Sequence, residues 1–422
     1  MRVAIVALNA YPLIEPSLGR KIGGLETFAW NLAQGLAKNE LDQVQFLVRS
    51  DHRCPSRKNR AVQIDCIHEP CREIRQSVSK SIELNHRKGF PRIKSWDSGL
   101  LWKIPCLAIR KFFFPRYSED ESMAQAIAEF TPDLIVSLGI NQTSAMLGNL
   151  AMRMRVPIAL WLQSNADLDR RLFEETSFVD RYGVRSEHAR ECLTLCRNIV
   201  CQTQTQYELL QQVDSRYSNP QSIPMNAIYI PNPIDVDVFR NAQSEPNQRH
   251  GVLWIGRADR FHKRPLIALE IAARCPDISF LMILNPGEDE VYREIIRSKP
   301  ANVTILDFVP SSRMPERMAN AWLFLSTGSL AYEGFPNVLL ESLASGTPIV
   351  SMEDFDEFLS RSQGGLSGNG DIEEVVNHIR MLRDSPSEWA KLAKNGFEFI
   401  HQNHERSAVV KRFRNWIACL IP

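Results

Sequence analysis

Asn241-Ala242-Gln243-Ser244-Glu245-Pro246-Asn247-Gln248-Arg249-His250 is a polar run without apolar periodicity, lying between two series of short apolar segments. It reads as a linker. Upstream the strand-like segments are Val3 to Leu8, Val44 to Val48, Leu134 to Leu138, Pro157 to Leu162, Asn198 to Gln202 and Ile228 to Ile230. Downstream they are Val252 to Gly256, Phe280 to Leu284, Val303 to Asp307, Leu323 to Ser326 and Pro348 to Ser351. Helical patterns separate these runs in both series, the alternation that builds parallel sheets covered by helices. The fold class is therefore α/β, with two doubly wound domains, 1–240 and 241–406. Ligands are expected where the carboxyl ends of both sets of strands face each other.

The composition fits this reading. The 422 residues carry 50 Lys+Arg against 49 Asp+Glu, and 44% of the side chains are hydrophobic. A net charge of +1 provides no field for holding a nucleic-acid backbone. There is no apolar run long enough for a membrane span, and Met1 to Ala10 has no cleavage pattern, so neither a span nor a signal peptide is expected. Nine scattered cysteines suggest reduced thiols and a cytoplasmic protein. His188, Cys192 and Cys196 recur every four residues, but packing is the expected role of such thiols.

His86 to Arg116 departs from the pattern. Lys or Arg stands at 87, 88, 92, 94, 103, 110, 111 and 116 against the single acid Asp97, interleaved with Phe90, Trp96, Trp102 and Phe112 to Phe114. Basic and aromatic residues together suit peripheral contact with an anionic membrane. The alternative is an insertion packed on its own domain.

Three elements carry chemistry. Tyr332-Glu333-Gly334-Phe335-Pro336-Asn337-Val338-Leu339-Leu340-Glu341 holds two carboxylates around a helix start. Pro336 suits the first helical position, which leaves the N–H groups of Asn337 and Val338 as donors at a positive helix end, a ready phosphate site. Carboxylates suit hydroxyls, and a vicinal diol such as that of ribose matches the two oxygens of a carboxylate. Trp254-Ile255-Gly256-Arg257, with Lys263 beyond it, puts two cations at the end of a strand, where they can stabilise a diphosphate leaving group without a metal. Gly23-Gly24-Leu25-Glu26 opens a helix, and a glycine pair lets backbone N–H groups approach a ligand.

In this order the three elements resemble the retaining glycosyltransferases of the GT-B fold, glycosyltransferase family 4 (group 1) type. Ser345-Gly346-Thr347-Pro348-Ile349-Val350 and Ile230-Pro231-Asn232-Pro233-Ile234-Asp235 with Phe239 extend the likeness over nearly the whole chain. The resemblance implies transfer of a sugar from a nucleotide diphosphate sugar to a sugar or lipid-linked sugar acceptor, in polysaccharide or glycolipid synthesis, with no cofactor and no metal. It implies Arg257, Lys263 and Glu333 as catalytic residues, with Glu333 on the transferred sugar. Gly23, Gly24, Gly256, Gly334, Phe335, Asn337, Val338 and Glu341 would bind the donor. It also implies that a last helix, Ser407 to Leu420, returns to the first domain.

The chain departs from the family pattern in three places. Proline stands at 233 and at 336 where glycine is common, removing a donor at each. Gln163-Ser164-Asn165-Ala166-Asp167 has no histidine where many members have one. The triplets Asp167-Leu168-Asp169 and Asp235-Val236-Asp237 could instead indicate a metal-dependent transferase. Two further readings share the fold: a nucleotide-sugar epimerase, and a non-catalytic donor-binding scaffold.

Overall fold

The computed structural model describes residues 1–15, 23–50, 57–59, 61–68, 72–84, 91–93, 96, 98–113, 119–217, 225–242 and 245–421. Strands are numbered in chain order. In the first domain they are β1 (Arg2–Val6), β2 (Gln43–Ser50), β3 (Arg57–Asn59), β4 (Val62–His68), β5 (Ile82–Leu84), β6 (Pro91–Ile93), β7 (Leu134–Leu138), β8 (Ile158–Trp161), β9 (Asn198–Cys201) and β10 (Asn226–Tyr229). The second holds β11 (His250–Arg257), β12 (Phe280–Asn285), β13 (Val303–Leu306), β14 (Ala321–Ser326), β15 (Ile349–Ser351) and β16 (Gly365–Ser367).

Every strand read from the sequence forms, within a few residues of its expected bounds. The first sheet runs β10-β9-β8-β7-β1-β2-β4-β3 and the second β13-β12-β11-β14-β15-β16. All pairs are parallel except β3 with β4 at the edge of the first sheet and the separate β5–β6 hairpin. The register Val3↔Val44 on one side and Val3↔Leu134 on the other makes β1 the centre of its sheet. In the second sheet β11 has the same place, between β12 and β14. The strand order reverses at β1/β7 and at β11/β14, the two places where a doubly wound sheet opens a crevice at its carboxyl ends. Burial explains the legibility of these strands: Leu134–Leu138 is buried at every position, as covering on both faces requires.

Five strands, β3, β4, β5, β6 and β16, were not anticipated. β4 alternates apolar and polar side chains and lies near an edge, β3 and β16 have only three residues each, and β5, which precedes the insertion, pairs with β6 inside it.

Two crossings join the domains. Ile234 N donates to His404 O at 2.9 Å and Arg406 N donates to Ile234 O at 2.9 Å, so the outgoing and returning chains pair as a β-bridge. The buried Arg406 guanidinium reaches Asp235 Oδ2 at 2.5 Å and Gln34 Oε1 at 3.1 Å. The final helix, Arg406–Ile417, then packs Val409, Val410, Phe413 and Ile417 into the core of the first domain. Gly35 makes this possible, since a Cβ there would stand 2.6 Å from Val410 Cγ2.

Part of the insertion lies outside the described residues, including 85–90, 94–95, 97 and 114–118. Its helix Leu100–Phe113 is described and shows an unusual surface. Leu101 is 70% exposed, Trp102 57%, Ile109 57% and Phe112 80%, and Ile104 is exposed beside them. Among the described residues no helix is long and apolar enough to cross a membrane.

Candidate functional site

The loops after β11 and β14 flank the second crevice. Asp259 organises the first. It is 4% exposed and accepts from His262 N at 2.5 Å, Lys263 N at 3.0 Å and Arg257 Nε at 3.0 Å. Burial pushes its pKa up, but these donors outweigh it and hold the carboxyl below its usual range. Arg264 follows with φ +50, an uncommon conformation for a side chain of its size. Its guanidinium donates to Thr327 O at 2.6 Å and pairs with Glu353 at 3.2 Å, contacts that hold this turn in place. Thr327 in turn donates to Lys263 O at 2.6 Å and accepts from Trp254 Nε1 at 2.8 Å. Lys263 is thereby fixed to the end of β14. Gly256 leaves room for this packing, since a Cβ there would lie 2.5 Å from the Trp254 ring and 3.0 Å from Lys263 Cβ.

Lys263 Nζ meets Glu333 Oε1 directly, and His262 Nδ1 lies 3.2 Å from the same oxygen. Burial lowers the His262 pKa despite the Glu333 charge. Glu333 is 4% exposed, and its other oxygen, Oε2, is buried without a hydrogen-bond partner. An unmet carboxylate oxygen costs free energy unless something donates to it, and this atom has the chemistry to accept from a hydroxyl. A side chain at Gly328 would run into it. Arg257 lies further out, 52% exposed and held by Asp259.

Pro336 is the residue before the helix rather than its first position, and the helix is Asn337–Ala344. Asn337 and Val338 thus occupy the first turn, whose N–H groups have no intrahelical acceptor. Gly346, at φ +67, ends the element, with its N–H on Leu343 O at 3.0 Å and Thr347 N on Ser342 O at 3.0 Å. Asn337 Nδ2 donates to Gly24 O across the cleft at 2.9 Å, and its Oδ1 accepts from Asn232 Nδ2 at 2.8 Å. The helix Gly24–Leu36, capped by Gly23, therefore starts against the start of Asn337–Ala344, and two positive helix ends converge. Glu341 is one turn deeper. Its pKa is pushed up to about 7 by burial, against the pull of the Lys263 charge.

The first domain closes the other side. Ser164 Oγ donates to Tyr332 O at 2.9 Å and Asn165 Nδ2 to Leu330 O at 3.2 Å. Gly334 allows the approach, as a Cβ there would lie 2.6 Å from Gln163 O. The 163–167 loop is tied by Asp167, which accepts from Gln163 N at 2.8 Å and Ser164 N at 3.1 Å. Burial raises the Asp167 pKa to about 6, partly offset by those donors.

The structure brings together Gly23, Gly24, Gly256, Lys263, Glu333, Gly334, Asn337, Val338 and Glu341, with Arg257 at the rim. Phe335 turns inward instead, 4.9 Å from Phe358 and stacked on His404 at 6.1 Å. The aspartate triplets have protein partners: Asp169 binds Arg171 at 2.6 Å, Asp235 binds Arg406 and Asp237 binds Arg240 at 2.6 Å. Among the described residues no group of three His, Cys, Asp or Glu could hold a metal. Cys192, Cys196 and Cys201 are buried in the core, and burial raises all three thiol pKa values. Sequence reasoning missed Asp259 and His262. An Asp four residues before Lys263 is the one available signal for the former, since Asp accepts from backbone N–H groups in such turns.

Residues 249–385, most of the second domain, match the family model Glycosyl transferases group 1. The chain is 30% identical over 145 residues to a phosphatidyl-myo-inositol mannosyltransferase of Mycolicibacterium smegmatis, covering 33% of this chain and 37% of the relative. The counterpart from Mycobacterium tuberculosis is 29% identical over 156 residues, covering 35% and 40%. The match thus spans about two fifths of these relatives' length. In three dimensions the chain superposes on Anabaena HepE in complex with UDP-glucose with a TM-score of 0.67 at 14% identity, covering 99% of this chain and 100% of that one. Sucrose-phosphate synthase from Thermosynechococcus elongatus superposes with a TM-score of 0.67 at 15% identity, covering 100% and 99%. The architecture is the GT-B fold.

Proposed function

We propose that the protein is a retaining, metal-independent glycosyltransferase that moves a sugar from a nucleotide diphosphate sugar to a hydroxyl of a sugar or lipid-linked sugar. The observation that carries this reading is the unpartnered Oε2 of Glu333, held by Lys263 beside two converging helix starts. The helix starts and Lys263 suit a diphosphate. An ammonium has three N–H donors, and the one spent on Glu333 leaves two for phosphate oxygens. As the glycosidic bond breaks, charge grows on the diphosphate where these groups already point, so little reorganisation is needed. Glu333 accepts a hydroxyl of the transferred sugar, and Glu341 accepts the ribose diol. Retention follows the family resemblance, with the acceptor attacking on the face the diphosphate leaves. The names of the mannosyltransferase relatives support a lipid-linked acceptor. Peripheral contact with a membrane through 86–116, on the exposed helix Leu100–Phe113, belongs to the same proposal.

A panel of nucleotide diphosphate sugars tests it by thermal shift and then by transfer in the presence of EDTA. A donor at a hundred times its dissociation constant adds about 2.7 kcal/mol to stability. Transfer should survive the chelator. Stabilisation by no member of the panel would remove the donor site, and rescue of EDTA-treated protein by manganese would remove metal independence.

A further inference from the structure

A rigid finger of the first domain reaches across the cleft mouth. Its base is the bridge Val179↔Arg185, with Ser186 N on Phe178 O at 3.0 Å. Its tip is shaped by Asp180, whose Oδ1 accepts from Tyr182 N at 2.8 Å and Val184 N at 2.7 Å, and by Gly183 at φ +82. This bonding fixes the tip before it touches anything, so docking it loses little chain entropy.

The tip meets both loops that carry the site. The Arg181 guanidinium lies 3.7 Å from the centroid of the Phe261 ring and 5.2 Å from that of Tyr332. The two rings meet edge-on at 6.3 Å. Phe261 is two residues before Lys263, and Tyr332 directly precedes Glu333. Tyr182 stands in the field of Arg257 and Asp259. A cation over two aromatic faces is an attraction of modest size, suited to a contact that must release.

We propose that Arg181 with Phe261 and Tyr332 forms a latch between the domains, closing the cleft over the Lys263–Glu333 pair and setting how fast a bound nucleotide leaves. Arg181 is a positioning residue: it acts through the rings beside the pair. The idea rests on the donor-site reading only for its second consequence. The first, domain closure, holds whatever the ligand.

The test has two arms on the full chain. Small-angle scattering of the free protein reads closure: Arg181→Ala and Phe261→Ala should each broaden the distance distribution, and Arg181→Lys, which keeps a cation, should restore part of it. Stopped-flow release of fluorescent UDP reads the nucleotide: each single alanine variant should speed release about three- to tenfold, the range of an exposed to partly buried cation–aromatic contact. The double variant should be slower than the two single effects multiplied together, because both substitutions remove the Arg181–Phe261 contact. Additive effects, or release and scattering that match the wild type, would overturn the latch. Should the wild type bind no nucleotide, the donor reading fails alone, and scattering still decides the latch.

Discussion

The two doubly wound domains share a topology and differ in what they do with charge and apolar surface. The second gathers charge at its crevice and pairs it there: Asp259 with Arg257, Arg264 with Glu353, and Lys263, beside the His262 ring, with one oxygen of Glu333. The first meets the floor of the same cleft with neutral groups, the Gln163 carbonyl, the Ser164 hydroxyl and the Asn165 amide, and places the Arg181 guanidinium at its mouth. Its other distinctive surface is the exposed apolar helix Leu100–Phe113. Two domains of like topology thus differ in what they bring to the cleft, with electrostatics on one side and shape and surface on the other. Preorganised charge is the larger contributor to catalysis in general, which sets the order of effects below.

The widest gap should separate Lys263→Ala from Gln163→Ala. Removing a preorganised charge partner costs about 2.7 to 4 kcal/mol of transition-state stabilisation, or 10²- to 10³-fold in turnover. Gln163 meets the second domain mainly through its backbone, so its truncation should cost less than about tenfold, below 1.4 kcal/mol. Lys263→Ala also leaves Glu333 buried with only His262, so melting temperature must be followed in parallel. Glu333→Gln in the same background should recover stability without recovering turnover. Equal losses for Lys263→Ala and Gln163→Ala, by steady-state transfer with the donor found in the panel, would erase the division of labour.

The next contrast lies on the outer surfaces. Leu101, Ile104, Ala108 and Phe112 recur every three or four residues and share one exposed face, flanked by Trp102 and Ile109. The helix carries Lys103, Arg110 and Lys111 and no acid. Burying one large apolar side chain contributes about 1.5 to 3 kcal/mol, so Trp102→Glu with Phe112→Glu should weaken co-sedimentation with phosphatidylglycerol vesicles at least about tenfold. Ile296→Glu, at an apolar position 44% exposed on the second domain, should change nothing. Salt should weaken wild-type binding, since each cation near such a surface contributes about 1 kcal/mol that screening removes. Vesicle binding indifferent to the helix substitutions would show that this face serves something other than a membrane.

How far the sequence could be read follows the same division. Buried parallel strands are continuous apolar runs, so the sheets were legible, whereas β4 alternates and β16 is too short to show a period. Lys263, Glu333, Asn337 and Glu341 were legible as residues because glutamates around a helix start and cations after a strand have few uses together. Their partners were not. That Lys263 meets Glu333, that Asn337 holds Gly24, and that Gly334 is small so Gln163 can approach depend on the closing of two domains, which no local pattern encodes. Phe335 shows the limit within a motif, since adjacent loop residues face opposite ways and only packing tells which side is the cleft. The finger at 178–185 had no signal beyond Asp180 and Gly183, common turn residues.

The smallest effect should come from Glu341, and its sign is fixed. Its folded pKa of about 7 lies above the ordinary 4.5, so between those values the folded chain holds a proton that the unfolded chain releases. That contribution is complete below about pH 4.5 and is lost as pH rises through about 7. Each pKa unit is about 1.4 kcal/mol, which bounds the total change at about 3.5 kcal/mol, less in practice because part of the residue keeps contact with water. Glu341→Gln cannot ionise and should flatten this part of the stability curve in urea titrations at several pH values. A ribose diol donating to the carboxylate favours the charged form, so donor binding near pH 6.5 should release a fraction of a proton. Calorimetry in two buffers of different ionisation enthalpy reads that fraction directly. The variant should lose the release and bind donor several-fold more weakly, with turnover little changed. Wild-type binding without proton release, together with a pH slope unaltered by the substitution, would mean that the diol meets another group and that Glu341 serves the second domain only as packing beneath Lys263.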